Sequence, residues 1–137
     1  MSAFVLDCSV GMAWCFEDEA DRYADGVLDR LVEETALVPP LWPLEIANVL
    51  VVAERRRRLR KSDSARFLEL VGALPIVVDS ATPDSSHLLA LAREQGLSAY
   101  DAAYLALAMR EGIPLATRDR ALGKAARRCG VSLLAAV

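Results

Sequence analysis

Ala3-Phe-Val-Leu6, a short apolar run that stops at Asp7, decides the fold class of this chain. A run of this length and character indicates a strand that is buried on both faces. Similar runs follow it, and stretches with helical spacing separate them. The predicted strands cover residues 3–6, 36–38, 75–78, 113–116 and 131–134. The predicted helices cover residues 10–16, 21–34, 44–58, 62–71, 84–94, 101–110 and 120–128.

Buried strands that alternate with helices predict an α/β fold, in which helices cover both faces of a five-stranded, mostly parallel sheet. The chain has 137 residues, so we expect a single domain over 1–137. Ser62 is placed to cap the fourth helix, Gly96 to stop the fifth and Gly112 to end the sixth. The sixth helix, 101–110, is apolar nearly all round and should lie at the centre of the fold.

The bulk composition limits the classes of function. The net charge is −3 and the pI is near 5.2, which argues against a protein that holds nucleic acid through overall positive charge. No apolar stretch approaches the ~20 residues that cross a bilayer, and the N-terminus lacks the basic segment of a signal peptide. Cys8, Cys15 and Cys129 are not spaced as metal-binding pairs, so we expect reduced thiols in a cytoplasmic protein.

Four carboxylates occupy equivalent places in this pattern. Each stands just past a predicted strand or at a predicted helix start: Asp7, Glu45, Asp101 and Asp119. Ligands of open α/β sheets collect outside the carboxyl ends of the strands, so these side chains should meet at one edge. Carboxylates that meet repel one another, and a divalent cation removes that cost. The spacing therefore predicts a metal site, although each acid taken alone is equally well explained as a helix cap or a favourable helix-end charge.

The sequence around these acids falls into four segments: Val5-Leu-Asp7-Cys-Ser9, Pro43-Leu-Glu45-Ile-Ala-Asn48-Val-Leu50, Leu97-Ser-Ala-Tyr-Asp101-Ala-Ala-Tyr-Leu-Ala-Leu-Ala108 and Ala116-Thr-Arg-Asp119. In order and spacing they resemble the PIN-domain family, and in particular its VapC-type toxins of bacterial toxin–antitoxin pairs. The resemblance covers essentially the whole chain. It implies a PIN-like three-layer α/β/α fold.

The resemblance also implies an endoribonuclease that depends on Mg²⁺ or Mn²⁺. The family's catalytic, metal-binding quartet maps onto Asp7, Glu45, Asp101 and Asp119, and its supporting polar residues map onto Ser9, Asn48 and Thr117. The reaction that we expect is in-line attack on an RNA phosphodiester by a metal-bound water. The implied partners are RNA, a VapB-type antitoxin whose tail would cover the site, and a second copy in a homodimer. An unusually apolar segment of the third helix, 44–53, and a hydrophobic share of 54% fit such partners.

Other notable residues receive simpler interpretations. His87 is the only histidine and lies in a predicted amphipathic helix, so the chain lacks a histidine pair for acid–base catalysis. Trp14 and Trp42 are expected in the core, and Cys8 is expected to be a buried thiol whose pKa the adjacent carboxylate raises. The run Arg55-Arg-Arg-Arg-Leu-Arg-Lys61 has six cations among seven residues. It can be a solvated helix end or a contact for the RNA backbone.

Three alternatives stay open at this point. A phosphatase of the haloacid dehalogenase type would normally show Asp-x-Asp and a downstream lysine at the site. Here Ser9 takes the second position, and the only lysines are Lys61 and Lys124. The second alternative is a scaffold domain that binds metal without cleaving RNA. The third is a PIN-domain nuclease of RNA processing that has no antitoxin.

Overall fold

The structure, a computed structural model, describes residues 2–16, 21–81 and 83–135. Within these ranges the strands are β1 (Ala3–Leu6), β2 (Thr35–Val38), β3 (Ile76–Val78) and β4 (Leu115–Ala116). The helices are α1 (Cys8–Cys15), α2 (Arg22–Arg30), α3 (Trp42–Arg55), α4 (Lys61–Gly72), α5 (Ser85–Gln95), α6 (Ala99–Glu111) and α7 (Arg120–Arg128). The single-domain prediction over 1–137 includes positions 1, 17–20, 82 and 136–137, which lie outside the described residues. It stays a prediction.

The sheet is parallel, and its strand order is β3-β2-β1-β4. The chain builds outward from β1 through β2 to β3 and then returns to add β4 on the other side of β1. Right-handed crossovers therefore place α1–α4 over one face and α5–α7 over the other. The packing follows this division, because α1 contacts α2 and α3, whereas α6 contacts α5 and α7. The strand order reverses between β1 and β4, where open α/β sheets bind their ligands.

Helix α6 lies at the centre of the fold, as its apolar sequence predicts. Tyr104 and Leu105 are fully buried, and the helix packs against β1 and β4. Ser98 caps its first turn by accepting a hydrogen bond from the backbone N–H of Asp101 at 3.1 Å. Gly112 ends it with a left-handed φ of 64°, a conformation that glycine adopts without strain. Both ends of the helix that carries Asp101 are therefore fixed by local geometry.

Helix α3 also ends on a residue in the left-handed conformation, but that residue is not glycine. The backbone N–H groups of Arg57 and Arg58 donate to the carbonyls of Glu54 and Ala53 at 3.0 and 2.8 Å. Arg57 has a φ of 59° and so occupies the position at which a helix usually ends on glycine. A residue with a Cβ pays roughly 1–2 kcal/mol for the left-handed conformation.

The start of α4 differs from the prediction, because Ser62 is not its cap. The helix begins at Lys61, and Arg60 is the cap residue. The backbone N–H of Arg60 donates to a carboxylate oxygen of Asp63 at 2.9 Å, so the bond from the third helical residue fixes the start. Ser62 therefore lies inside the first turn.

The prediction of a fifth strand at 131–134 is wrong, because the sheet within the described ranges has four strands. Leu133 forms a single parallel bridge with Leu115. The carbonyl of Leu134, which would continue the ladder, accepts a hydrogen bond from the Tyr23 hydroxyl at 2.9 Å. A strand as short as β4 offers no further position for pairing, so the segment stays a bridge.

Some apolar side chains of α3 remain exposed. Leu44 is 74% exposed and Val51 is 42% exposed, and they lie two helical turns apart on one face. This agrees with the expectation that the helix is more apolar than its core face requires. In the part of the chain that the structure describes, no helix has both the length and the apolar character to cross a bilayer.

Candidate functional site

The four acids predicted from the sequence lie at the carboxyl edge of the sheet. Asp7 directly follows β1, Glu45 and Asp101 lie in the first turns of α3 and α6, and Asp119 caps α7. The charge of Asp7 acts on both Glu45 and Asp101. The charge of Asp119 acts on both Asp7 and Asp101. The structure thus brings the four carboxylates into one electrostatic cluster.

Burial is the largest cause of the pKa shifts of Asp7, Glu45 and Asp101. Asp7 is 4% exposed, and Glu45 and Asp101 are half-buried. Burial, followed by the neighbouring negative charges, raises the pKa of Asp101 above its ordinary value. Burial likewise raises the pKa of Asp7 and of Glu45, while hydrogen bonds from nearby hydroxyls hold both values lower than burial alone would. Ionisation of these acids is therefore less favourable in the folded protein than in the unfolded chain.

Two hydroxyl groups fix Asp7. Ser9 Oγ and Thr117 Oγ1 both donate to Asp7 Oδ2, at 2.6 and 2.8 Å. Each hydroxyl also accepts a backbone N–H at 3.0 Å, from Arg118 to Ser9 and from Asp119 to Thr117. A hydroxyl has one proton, so this arrangement directs both protons to the same carboxylate oxygen. Ser9 and Thr117 therefore orient Asp7.

Tyr104 is a site residue that sequence reasoning missed. Its side chain is fully buried, and its hydroxyl donates to Glu45 Oε1 at 2.5 Å. Burial, together with the bond to Glu45, raises the pKa of Tyr104, so the phenol stays protonated and remains a donor. Tyr104 lies three residues after Asp101, on the same side of α6. The signal was a phenol in a helix of alanine and leucine, because a buried hydroxyl requires a partner.

Arg118 is the second residue that sequence reasoning missed. Its guanidinium pairs with Asp21 at 2.6 Å and approaches the backbone carbonyl of Ser9 at 3.4 Å. Asp21 caps α2 by accepting a hydrogen bond from the backbone N–H of Ala24 at 2.6 Å. Arg118 therefore ties the start of α2 to the loop that carries the site. Arg118 lies between Thr117 and Asp119 in the sequence, and this position was the signal that could have identified it.

Three other residues behave in different ways. Asn48 is exposed, and its side chain makes no hydrogen bond within the described ranges, so its supporting role stays a prediction. His87 is exposed on α5, as the sequence suggested. Cys8 is buried, and burial followed by the charges of Glu45 and Asp7 raises its pKa to about 12. A thiol that stays protonated in this way is a poor nucleophile at neutral pH.

The tryptophans are core residues, as expected. Trp42 is 5% exposed. Trp14 is half-buried, and its indole N–H donates to the carbonyl of Ala24 at 2.8 Å. Trp42 is therefore too deeply buried to serve as a platform on which a base could stack.

The donor set fits a hydrated magnesium ion better than a closed cage of ligands. No three acidic, histidine or cysteine side chains among the described residues are arranged to hold an ion directly. Mg²⁺ usually keeps several waters and is bound through one or two carboxylates, whereas softer metals prefer sulfur or imidazole. Carboxylates that share a cluster without closing around one point suit an ion that is held partly through water.

Comparison with known proteins identifies the family. The PIN domain family matches residues 4–128. Ribonuclease VapC3 of Pyrobaculum aerophilum is 32% identical over 122 residues, which cover 88% of this chain and 92% of that protein. The family match includes all four acidic segments, and the match to the ribonuclease covers most of the chain. These matches argue against the alternative of a haloacid dehalogenase-type phosphatase.

Solved structures agree at the level of the fold. PAE2754 from Pyrobaculum aerophilum superposes with a TM-score of 0.69 at 26% identity, over 90% of this chain and 86% of that one. VapBC2 from Rickettsia felis, solved with a DNA fragment from their promoter, gives a TM-score of 0.68 over 96% of this chain and 97% of that one. Its 13% identity supports similarity of fold alone. With the acidic edge, the parallel sheet and these matches taken together, the chain belongs to the PIN-domain family.

Proposed function

We propose that this protein is a VapC-type endoribonuclease that uses Mg²⁺ or Mn²⁺ to hydrolyse RNA phosphodiester bonds. The observation that carries the proposal is the cluster of four carboxylates at the carboxyl edge of β1 and β4, in a chain 32% identical to a ribonuclease. Clustered acids repel one another, and a divalent cation offsets that repulsion. A cation held by carboxylates can supply an activated water for phosphodiester hydrolysis.

We assign Asp7 and Asp101 as the main ligands, directly or through water. Asp119 completes the site or holds water beside it, and Glu45 orients the nucleophile or supports a second ion. The metal, when bound, supplies an activated water and offsets the charge that builds on the phosphate. Ser9 and Thr117 keep Asp7 in one orientation, since both hydroxyls donate to the same oxygen.

We assign Asn48 to the substrate side of the site. It lies three residues after Glu45, so the two side chains share a face of α3. Its amide is exposed, and an amide can donate to a phosphate oxygen or to a base edge.

We further propose that the protein acts in the cytoplasm as the toxin of a pair with a VapB-type antitoxin, and that it forms a homodimer. Relatedness to a VapC ribonuclease supports the antitoxin. The exposed apolar side chains of α3 supply a surface that a protein partner or a second copy would cover. Three free cysteines fit a reducing compartment.

The test is cleavage of an end-labelled structured RNA by the purified protein with Mg²⁺, Mn²⁺ or EDTA. Asp7→Asn and Asp101→Asn should each lower the cleavage rate by at least about 100-fold, because each removes a charged ligand. Asp29→Asn is the matched control, since Asp29 is an exposed carboxylate on α2 outside the cluster, and it should cleave at the wild-type rate.

Cleavage that survives EDTA and both substitutions would contradict the proposed chemistry and indicate a contaminating nuclease. Binding of Mn²⁺ without cleavage of any RNA in a broad panel would favour a scaffold domain. Rescue of growth by a co-expressed VapB-type protein would separate the toxin from an RNA-processing nuclease without an antitoxin.

A further inference from the structure

The turn between α3 and α4, residues 55–61, carries six cations and takes no part in the acidic cluster. We call it the basic turn. Neighbouring carboxylates neutralise little of its charge. Asp63 pairs with Arg60 at 3.4 Å, and Glu54 accepts a hydrogen bond from Ser64 at 2.6 Å. Asp63 therefore pairs with one cation of the turn, and Glu54 is engaged by a hydroxyl group.

The other cations of the basic turn face solvent. Arg58 differs from the rest, because its guanidinium lies 4.2 Å from the centre of the Phe16 ring. The cations that are exposed and form no ion pair with any described residue are Arg55, Arg56, Arg57 and Lys61. The turn thus presents a compact positive surface on a protein whose net charge is −3.

Helix electrostatics explain only one side of this surface. Arg55 and Arg56 stand at the negative C-terminal end of α3, where cations are favourable. Arg60 and Lys61 stand at the positive N-terminal end of α4, where cations are unfavourable. A solvated helix end would account for the first pair but not for the second.

The backbone at Arg57 gives a second, independent sign. Helices α5 and α6 end on Gly96 and Gly112 with φ of 65° and 64°, whereas α3 places Arg57 in the same conformation with φ of 59°. Glycine would relieve the strain at this position. A residue that is kept in a strained conformation points to a role outside stability. The charge at position 57 is a candidate for that role.

The distance along α3 suggests what the surface contacts. Ten residues separate Glu45 from Arg55, which places the basic turn about 15 Å from the acidic cluster at 1.5 Å per residue. One strand of a duplex carries a phosphate for every ~3.4 Å of helix axis, and an extended single strand covers more distance per nucleotide, so a few nucleotides span this distance.

We propose that the basic turn binds the phosphate backbone of the RNA substrate a few nucleotides from the bond that is cleaved. The proposal rests on the proposed function, because it takes the bound strand to be the substrate. Contacts to phosphate position a strand without reading its bases. The basic turn therefore supplies affinity, and the choice of cleavage site comes from elsewhere.

Two variants test the proposal: Arg57→Gly, and the triple variant Arg55→Gln, Arg56→Gln, Lys61→Gln. Binding of an end-labelled stem–loop RNA is measured in EDTA over a range of salt concentrations, and KM and kcat are then measured with Mg²⁺. Each lost phosphate contact should lower the slope of log affinity against log salt by about 0.7 for a single strand, so the triple variant should lose about 2. KM should rise while kcat stays near the wild-type value.

Arg57→Gly gives the sharper result. It should melt at or above the wild-type temperature, because glycine relieves the strain, and yet bind RNA less tightly. Arg93→Ala is the matched control, since Arg93 is an exposed arginine near the end of α5, and it should change neither the salt slope nor KM.

The outcomes separate this proposal from the proposed function. Wild-type cleavage with an unchanged salt slope and KM in the triple variant would overturn the RNA contact and leave the nuclease intact. Equal losses of affinity for RNA and for poly-L-glutamate in the triple variant would assign the turn to an acidic protein instead. If the wild-type protein neither binds nor cleaves RNA, the proposed function fails and this inference fails with it.

Discussion

Asp7 and Glu45 differ from ordinary surface acids because neutral hydroxyls reach them from inside the protein. Ser9 and Thr117 donate to Asp7, and Tyr104 donates to Glu45 from a fully buried position. Such bonds stabilise an ionised carboxylate that burial alone would favour as the neutral acid. Residues that carry no charge therefore orient the acids and partly offset the effect of burial on their pKa.

Tyr104→Phe tests this at a single atom, because it removes the hydroxyl and keeps the ring in the core. Glu45 loses its donor, so we expect RNA cleavage to fall by about 10- to 100-fold, the usual effect of losing a partner of a metal-site residue. The change in unfolding free energy should stay near 1 kcal/mol. Cleavage kinetics over a range of Mn²⁺ concentrations and urea denaturation provide the two measurements.

Tyr100→Phe is the matched control for this prediction, because Tyr100 lies on the same helix and is 66% exposed. It should cleave RNA as the wild type does. A double-mutant cycle with Glu45→Gln completes the test. If Tyr104→Phe costs as much activity in the Glu45→Gln background as in the wild type, the tyrosine acts through something other than Glu45.

The sequence predicts the acids better than their partners. Asp7 and Asp119 are predictable because each follows an apolar run, and parallel strands bring such positions to one edge. Tyr104 was grouped with the apolar residues of its helix, since periodicity treats a phenol as a core side chain. Its hydrogen bond joins residues 59 positions apart, and no local pattern specifies that pairing.

At the scale of the elements, the residue that caps α7 is also one of the acids of the site. Asp119 accepts hydrogen bonds from the backbone N–H groups of Ala121 and Leu122, at 2.9 and 3.2 Å, and so caps α7. The same carboxylate belongs to the acidic cluster. The structural and the catalytic interpretations of this acid are therefore compatible, since one side chain can serve as the cap and as part of the site.

Substitutions at Asp119 should separate the two jobs. Asp119→Ser keeps a capping oxygen and should leave the free energy of unfolding within a few tenths of a kcal/mol, whereas Asp119→Ala should lower it by about 1 kcal/mol. Both should lose RNA cleavage, because both remove the charge. Urea denaturation and cleavage assays are made on the same preparations.

Asp84→Ala is the control for the cap, because Asp84 caps α5 by accepting from the backbone N–H of Ser86 at 3.0 Å. It should lose stability as Asp119→Ala does and keep full cleavage. An active Asp119→Ser protein would show that the carboxylate serves only as the cap.

Predicted elements match the structure where local signals are strong. Gly112 ends α6 as expected, because a left-handed glycine acts within one helical turn. The fifth strand does not form, because the carbonyl of Leu134 bonds to Tyr23, which lies 111 positions away in the chain. Apolar runs predict that a strand is possible, whereas tertiary hydrogen bonds decide whether it pairs.

At the scale of the whole molecule, charge is separated in space. The carboxyl edge of the sheet holds the acidic cluster, and the basic turn lies at the far end of α3. The net charge of −3 conceals this separation, which is why composition alone argued against nucleic-acid binding. Burial raises the pKa of Asp7, Glu45 and Asp101, so the acidic end is the part whose charge opposes folding at neutral pH.

This opposition predicts how stability depends on pH. Between the ordinary carboxyl pKa of about 4 and the raised values, the folded protein binds more protons than the unfolded chain. Stability should therefore fall as the pH rises through that window, and in EDTA the melting temperature should be higher at about pH 5 than at about pH 7. Hydrogen bonds from Arg60 lower the pKa of Asp63. Asp63 therefore makes stability rise with pH, but only at pH values below this window.

Mg²⁺ should raise the melting temperature at neutral pH, because it binds the folded state, and should flatten the dependence on pH. Asp101→Asn removes one of the opposed charges, so in EDTA it should melt above the wild type at neutral pH. Differential scanning calorimetry across the pH range measures both effects. A melting temperature that rises with pH from about 5 to about 7 in EDTA would contradict the assignment of these charges as unfavourable.

The two hydrogen bonds that meet on Oδ2 of Asp7 have a consequence for the choice between hard cations. Since Asp7 Oδ2 already accepts hydrogen bonds from Ser9 and Thr117, Oδ1 is the oxygen of Asp7 that would be left to hold a metal ion. Calcium favours six to eight oxygens and often grips a carboxylate by both, whereas magnesium accepts single-point contact within an octahedron of waters. A serine and a threonine, neither of which needs to touch the ion, would thus bias the protein against calcium by limiting the denticity of one aspartate.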